Sequence, residues 1–466
     1  MRSAACDRMK GIMNIKAKTI GTNGHLFSTK ELVSLLVPVI LEQFLTALMG
    51  TMDTVMVSNV GSAAISSVSL VDSINTLIIQ IFAALTAGGA IVCAHYIGKG
   101  DSKGANHSAR QLIFIVAAIS SAVTVLFLIF RFPLLHLIFG SVEKDVMQNA
   151  EIYFFYTALS YPFISVFSAG SAIFRSQENT HLPLKAAIYS NLLNIGGNAV
   201  LIFGFRMGVR GAAIPTLLSR IYGAVYVLVC LRRPGQTVVI RDYAKIRPDS
   251  GNIARILTLG IPSGIENGFF QLGKLAVQST VSTMGTISIA AQAMTNVLEN
   301  LNGMAGIGVG IALMTVVGEC LGAGRKDEAV YYVKKLTMVA ELLVSISCLL
   351  FWLLTKPITA LAGMEPASAA MCFSLMTYIS IVKPVVWTLS FVPAYGMRSA
   401  GDVKYSMTVS CISMWICRVT FCIFLVHRFH MGPLAVWIGM FTDWTVRGLF
   451  MSLRFHSRKW LKHNVI

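Results

Sequence analysis

The sequence predicts an all-α polytopic membrane protein, and three observations lead to that fold class. Hydrophobic residues make up 55% of the 466 positions and charged residues only 13%, whereas a soluble domain carries about 25% charged residues. Apolar segments long enough to cross about 30 Å of hydrocarbon recur along the chain. The second half repeats the first, which predicts twelve transmembrane helices in two pseudo-symmetric six-helix lobes.

Twelve apolar segments define the predicted spans. Several exceed the usual length of about twenty residues, so we expect tilted helices or helices that protrude from the bilayer. In chain order the segments are 31–57, 65–97, 108–132, 148–172, 184–205, 211–232, 254–283, 289–320, 330–354, 368–395, 404–427 and 433–454.

Lys and Arg are distributed unequally between the two sets of loops. An even number of spans places both termini on one side, and the loops of that side carry 27 basic residues against six on the other. Because cytoplasmic loops are enriched in Lys and Arg, both termini are predicted to be cytoplasmic, in a multi-pass protein of the plasma (inner) membrane. This bias accounts for the net charge of +17, so we expect no nucleic-acid partner.

A constant offset relates the two halves. Each half holds an even number of helices, so the two point the same way, which is an arrangement found in alternating-access transporters. The predicted organisation is a cytoplasmic N-terminal tail (1–30), an N-lobe (31–232), a cytoplasmic linker (233–253), a C-lobe (254–454) and a cytoplasmic C-terminal tail (455–466). A shift of 224 residues places Pro38 on Pro262, Glu42 on Glu266, Gly61 on Gly285, Gly98 on Gly322 and Gly100 on Gly324.

Sequence motifs of several other functions are absent. The chain has no GxxxxGK[ST] phosphate loop, no GxSxG nucleophile motif and only scattered histidines, of which His427 and His430 flank an outer loop without further ligands. We therefore expect no enzymatic activity, no cofactor and no metal site other than a possible Na⁺ at the coupling site. Transport would then use a gradient of H⁺ or Na⁺.

The first predicted helix carries two acids on one face. Glu42, Thr46, Met49 and Asp53 follow one another at steps of three or four residues, which places Glu42 and Asp53 about 16 Å apart along that face. A charge at mid-bilayer costs about 2.5–3.5 kcal/mol, so such acids usually face a cavity or a partner. We predict that both line a cavity; the alternative for Glu42 is a pair with a basic loop residue. Prolines free a backbone carbonyl, so Pro38 and its repeat partner are predicted hinges.

Other predicted helices also carry polar side chains. Asn191, Asn194 and Asn198 share one face of the fifth helix and, with a carboxylate nearby, would supply the groups that hold a proton or Na⁺. The alternative is helix packing through hydrogen bonds. Lys274 and Lys383 are candidate buried partners for Glu266 or Glu299.

Several segments resemble the multidrug and toxic compound extrusion (MATE) family. The first is VPVILEQFLTALMGTMDTVMVSNVG at 37–61, with Pro38 followed fifteen residues later by Asp53–Thr54. The resemblance covers nearly the whole chain and implies a V-shaped pair of six-helix lobes that export organic, often cationic compounds in exchange for H⁺ or Na⁺. The other matching segments are YIGKGDSKGA (96–105), FRSQENTHLP (174–183), SNLLNIGGNAVLIFG (190–204) and GVRGAAIPT (208–216).

The resemblance also implies a cation-coupling site. Asp53 is similar in position to the coupling carboxylate of the family, Asn194 to its fifth-helix Asn and Thr216 to its sixth-helix Thr. Asn198 completes the set but stands where many members have Asp, which leaves Asp53 as the acid of the site. The tenth helix holds Lys383 where some members place an Asp.

The substrate is predicted to be an organic, cationic drug or toxin bound by Glu42, Met49, Glu266 and Glu299. We expect a monomer whose partners are small organic molecules and the lipid bilayer. The main alternative is a flippase for lipid-linked saccharides of the same wider superfamily, which would need a more cationic cavity. Major-facilitator transport and a receptor or scaffold role are less consistent with the loops, since neither a matching basic loop motif nor a ligand-binding domain is present.

Overall fold

The computed structural model describes residues 25–57, 59–140, 142–243, 246–429 and 431–466. The predicted tail at 1–30 and the linker at 233–253 lie partly outside these residues, and so does His430. The described residues are nearly all helical and include no strand.

The helices of the first half are separated by short connections. They are α1 (Thr29–Val57), α2 (Ser62–Gly98), α3 (Ser102–Ile129), α4 (Arg131–Phe139), α5 (Lys144–Leu159), α6 (Tyr161–Ser176), α7 (His181–Asn198) and α8 (Arg210–Leu231). The second half contains α9 (Ser250–Val281), α10 (Thr286–Gly322), α11 (Lys326–Leu361), α12 (Pro366–Ser399), α13 (Val403–Ser413), α14 (Phe421–Phe429) and α15 (Leu434–His456).

Each of the twelve predicted spans coincides with a helix or with consecutive helical segments. Within the described chain, nine helical segments are long and apolar enough to cross a membrane, and α5 with α6, bent by 41°, forms a tenth span. α9 and α15 complete the twelve, with 32 and 23 residues; both carry charged side chains, which lower their hydropathy. The predicted all-α fold with twelve spans is confirmed.

Equivalent turns of the two halves adopt the same backbone conformation. Gly100, after α2, has a φ of 78°, and Gly324, after α10, has a φ of 77°. These left-handed values favour glycine because a Cβ would be strained there. The offset of 224 residues is therefore visible in backbone geometry as well as in sequence.

The described chain divides into two compact units. Unit 1 runs to Gly264 and includes Gly322–Gly324 and Ile466, and unit 2 comprises Ile265–Leu321 and Arg325–Val465. The division falls inside α9, after the first turns of that helix. Those turns belong to unit 1 because they pack on α2 so closely that a Cβ at Gly88 would lie 2.7 Å from the backbone nitrogen of Gly260.

Unit 1 is built around α2. This helix packs against α3, α5 and α6, while α7 packs against α1 and α8. Aromatic and aliphatic side chains fill the space between these helices, among them Phe82, Phe154 and Tyr161. Hydrocarbon surrounds such a bundle, so close packing holds it together more than hydrophobic burial does.

Unit 2 has α12 at its centre, packed against α11 and α15. Its core contains three buried tryptophans, Trp387, Trp437 and Trp444.

Each unit has a π-helical segment in the fifth helix of its repeat. Ala199–Gly204 follows directly on α7, and Met414–Thr420 joins α13 to α14. Segments of this kind are rare in helices and often lie at functional sites.

Candidate functional site

A buried hydrogen-bonded cluster in unit 1 joins the four residues predicted to form the coupling site. Asn198 Nδ2 donates to Asp53 Oδ1 at 2.6 Å, and Thr216 Oγ1 donates to Asp53 Oδ2 at 3.1 Å. Asn194 Nδ2 in turn donates to Thr216 Oγ1 at 3.0 Å. These side chains come from α1, α7 and α8, and all four are at most 4% exposed. The fold thus gathers residues that lie up to 163 positions apart in sequence.

Two amide oxygens of this cluster have no hydrogen-bond partner among the described residues. They are Asn194 Oδ1 and Asn198 Oδ1, and both are buried. A buried acceptor without a donor is costly, by about 1–3 kcal/mol. Carboxylate, amide and hydroxyl oxygens are also the ligands that hard cations prefer. The cluster therefore has the composition of a site for a small cation or a proton.

Arg220 connects this cluster to a second polar network in unit 1. It lies one turn after Thr216 on α8, interacts electrostatically with both Asp53 and Asp72, and donates to Ser160 Oγ at 2.7 Å. Ser160 is the residue at the bend between α5 and α6. With Asp53 and Asp72 ionised, these three charged groups carry a formal charge of −1.

Asp72 belongs to that second network, together with two tyrosines. It accepts from Asn75 Nδ2 at 3.1 Å, and Asn75 Oδ1 accepts from the Tyr161 hydroxyl at 2.8 Å. The Tyr153 hydroxyl lies 3.5 Å from Asp72 Oδ1. The polar stripe predicted on the second helix therefore serves helix packing at this point.

Glu42 is bonded to an arginine of its own unit. Arg175 Nη1, at the end of α6, lies 2.9 Å and 3.1 Å from the two carboxylate oxygens of Glu42. The repeat-related acid makes the equivalent contact in unit 2, where Arg398 Nη2, at the end of α12, lies 2.6 Å from Glu266 Oε1. Both acids are buried, so their charges are neutralised within each unit. This geometry favours a structural role, and cargo binding by Glu42 and Glu266 stays a prediction.

Glu299, the third predicted cargo acid, is bonded to a lysine. Lys383 Nζ lies 2.7 Å from Glu299 Oε1, and Lys383 is fully buried. The sequence-based pairing of these two residues is thus confirmed. Met49 is half-buried on α1, and the predicted hinges Pro38 and Pro262 lie inside continuous helices.

A second ion pair lies beside the first in unit 2. Arg447 Nη2 donates to both oxygens of Asp443, at 3.0 Å and 3.2 Å, and the Ser413 hydroxyl also donates to Asp443. The spacing of four residues on one helix already indicates this pair in the sequence.

Two more basic side chains complete what we call the unit 2 charge cluster. Arg418, from the π-helical segment, and Lys274, from α9, both lie over the ring of Phe270. The cluster therefore has four basic groups and two carboxylates, a formal charge of +2. Its charged members are Lys274, Glu299, Lys383, Arg418, Asp443 and Arg447.

Comparisons with known proteins agree with this architecture. The MatE family model matches the chain twice, at residues 38–200 and 262–424, ranges that are themselves 224 residues apart. The probable multidrug resistance protein NorM of Thermotoga maritima is 27% identical, with 94% of each chain covered. The uncharacterized transporter YisQ of Bacillus subtilis is 25% identical, covering 93% of this chain and 95% of that one.

A solved structure shows the same fold. It is a transporter of the MOP superfamily from Pyrococcus furiosus whose binding pocket is described as having reverse polarity. It has a TM-score of 0.86, is 20% identical and covers 93% of this chain and 97% of its own. The two family matches together span well over half of the sequence, and they coincide with the repeated helical units. The chain therefore belongs to the MatE family of multidrug efflux transporters.

Proposed function

We propose that the chain is a secondary antiporter that exports organic compounds in exchange for H⁺ or Na⁺ bound at Asp53. The observation that supports this most directly is the buried carboxylate of Asp53 beside two amide oxygens without partners. We place the protein in the plasma membrane with both termini cytoplasmic, as the loop charges predict.

The coupling would depend on the charge of Asp53. An ionised Asp53 attracts a proton or Na⁺, which Asn194, Asn198 and Thr216 surround with neutral groups. A cationic group of the cargo would compete for the same negative charge in unit 1. By linkage, the ion weakens cargo binding by the same factor by which cargo weakens ion binding.

Cargo charge was expected to be read by three acids, and each of them is bonded to a basic side chain. Glu42, Glu266 and Glu299 therefore give little support to a preference for cations. The net negative charge around Asp53 is the remaining support for a cationic group on the cargo.

The test uses Asp53→Asn, which removes the charge and nearly preserves the shape. In proteoliposomes loaded with a fluorescent drug, an imposed H⁺ or Na⁺ gradient should drive drug movement with the wild type and not with the variant. Asn191→Ala is a matched control, because Asn191 lies on the same helix and bonds only to the Ala187 carbonyl oxygen among the contacts described for it. Gradient-driven transport by Asp53→Asn at wild-type rates would refute the proposal, and the active gradient identifies the ion.

The flippase for lipid-linked saccharides remains the second candidate. It is favoured by one observation, the formal charge of +2 in the unit 2 charge cluster, which suits a pyrophosphate. Movement of a labelled lipid pyrophosphate between leaflets, without any transport of soluble drugs, would select it over the antiporter.

A further inference from the structure

The unit 2 charge cluster has a cation that its own carboxylates do not neutralise. The two acids that interact with Arg418 are Glu299 and Asp443. Glu299 is bonded to Lys383, and Asp443 is bonded to Arg447. Among the described residues, Arg418 therefore has no carboxylate of its own.

The guanidinium of Arg418 is also short of hydrogen bonds. Its side chain is 5% exposed, and its Nε is buried without a partner among the described residues. The one hydrogen bond found for it joins Nη1 to the thioether sulfur of Met414 at 3.8 Å. A thioether is a weak acceptor that carries no charge.

The position of Arg418 makes this arrangement expensive. It lies fifteen residues after the start of α13, or about 22 Å along the axis, in a membrane of about 30 Å. A charged side chain at that depth normally faces a partner or a binding site. Some compensation comes from the ring of Phe270, whose centroid is 5.3 Å from Arg418 Cζ.

Other cations share that ring. Lys274 Nζ lies 5.1 Å from the Phe270 centroid, and Arg447 Cζ lies 6.0 Å from it. Contact with one ring contributes about 0.5–2 kcal/mol to a cation, and the three positive groups repel one another. The aromatic contact thus positions the cations around Phe270 without neutralising them.

We propose that Arg418 and Lys274 bind an anionic group, a carboxylate or a phosphate, of the organic solute that the chain exports, with Phe270 against its apolar body. The site lies wholly within unit 2, and it rests on the proposed function only in naming the anion as part of the cargo. Arg418 is the position that corresponds to Asn194 at the 224-residue offset. The second repeat thus presents a cation where the first presents a coupling-site amide.

Equilibrium binding to the purified protein in phosphatidylcholine nanodiscs tests this site without any gradient. The probes are 2-naphthoate and its methyl ester, which share a ring system and differ in charge. We expect the wild type to bind naphthoate at least tenfold more tightly than the ester. Arg418→Gln should remove about tenfold of the naphthoate affinity and leave ester binding unchanged, as expected for a lost hydrogen bond to a charged group.

Two further variants keep the result interpretable if Arg418→Gln folds poorly. Arg418→Lys should retain part of the preference for naphthoate, and Lys274→Gln should reduce it several-fold. The matched control is Lys404→Gln, which removes an exposed lysine of the same unit and should change nothing. Equal affinities for naphthoate and ester in the wild type, or an unchanged preference in both Arg418→Gln and Lys274→Gln, would overturn the proposal.

The same assay separates the solute from a lipid headgroup. If a lipid phosphate occupied the site, nanodiscs of phosphatidylglycerol would abolish naphthoate binding, and the assignment to cargo would be wrong. Undiminished binding there supports a soluble cargo. Failure of the antiport proposal has a different signature, because binding would remain while gradient-driven transport is absent.

Discussion

Unit 1 and unit 2 share a scaffold but differ in the chemistry of their interiors. Each places a glutamate four residues after a helix proline and pairs it with an arginine at the end of a later helix. Between these constant parts, polar positions have diverged. At the 224-residue offset, the coupling-site residues Asp53, Asn194, Asn198 and Thr216 correspond to Val277, Arg418, Cys422 and Met440.

The difference separates what holds a repeat together from what it binds. The Glu–Arg pairs occur in both units, where each satisfies a buried charge, so their role does not depend on the ligand. The interior of unit 1 carries one acid beyond its arginine, and that of unit 2 carries two cations beyond its acids. Duplication followed by such divergence gives one chain sites of opposite polarity.

Reporter fusions give the largest expected signal, because a reporter is either inside or outside. The two repeats are predicted to have the same orientation, since each contains an even number of spans. Fusions after residues 103, 180, 327 and 402 should all report the cytoplasm, and fusions after 143 and 362 should report the exterior. An inverted pattern in one half would show that the repeats are antiparallel and would end the comparison at equivalent positions.

Breaking either Glu–Arg pair should destabilise its unit strongly. Arg175→Gln and Arg398→Gln each leave a buried glutamate without its arginine, a change that costs about 3–5 kcal/mol. We expect similar decreases in thermal stability in detergent for the two variants, because the pairs are equivalent. Converting both partners to glutamine should recover much of the loss.

The control for these variants is an exposed pair. Arg458 Nη1 and Asp327 Oδ1 are 3.1 Å apart with side chains 62% and 89% exposed, and Arg458→Gln should change stability by less than about 1 kcal/mol. Retention of full stability together with altered cargo preference in Arg175→Gln or Arg398→Gln would instead support the predicted cargo role of the two acids.

The fold was predictable from sequence because the signals for it are local. A span needs only a long apolar segment, and the repeat needs only a constant offset. The bend at Ser160 was not predicted, since the segment 148–172 is apolar throughout; Pro162, at the start of α6, was the available signal.

The polar partners were harder to predict, because they depend on which helix faces meet. Asp53 was found from its depth in the first helix, and its partners came from the family resemblance. Arg175 and Arg398 were recognised as repeat-related but not as partners of Glu42 and Glu266, since 133 and 132 residues separate the members of each pair. Arg418 was missed because a lone arginine in a span gives no indication of its neighbours.

A milder effect is expected when the coupling site loses a neutral ligand. Asn198→Ala removes the donor that lies 2.6 Å from Asp53 Oδ1 and leaves the carboxylate itself. The concentration of coupling ion needed for half-maximal transport should rise by roughly three- to tenfold, the value of one hydrogen bond. Cys422→Ala, at the corresponding position of unit 2, should leave it unchanged. A loss of coupling in Asn198→Ala as complete as in Asp53→Asn would mean that charge alone does not define the site.

The smallest effect concerns Asp249, which begins α9 in unit 1 at a point where the preceding segment contacts α3. Its carboxylate oxygen lies 2.7 Å from His107 Nε2, and its other oxygen accepts from the Gly251 backbone N–H at 3.0 Å. The hydrogen bond from His107, followed by those from the backbone, lowers the pKa of Asp249.

A lowered carboxyl pKa stabilises the fold above the ordinary pKa of the group, and the contribution disappears as the pH falls through the lowered value. Asp249→Asn keeps a side chain able to cap the helix but removes the charge. The variant should therefore melt slightly below the wild type at pH 7, and the two melting curves should converge as the pH is lowered past the ordinary pKa of aspartate. The effect is small because both side chains are nearly half exposed, at 47% for His107 and 44% for Asp249. A difference in melting temperature that stays constant with pH would show that Asp249 acts through its shape and not through its charge.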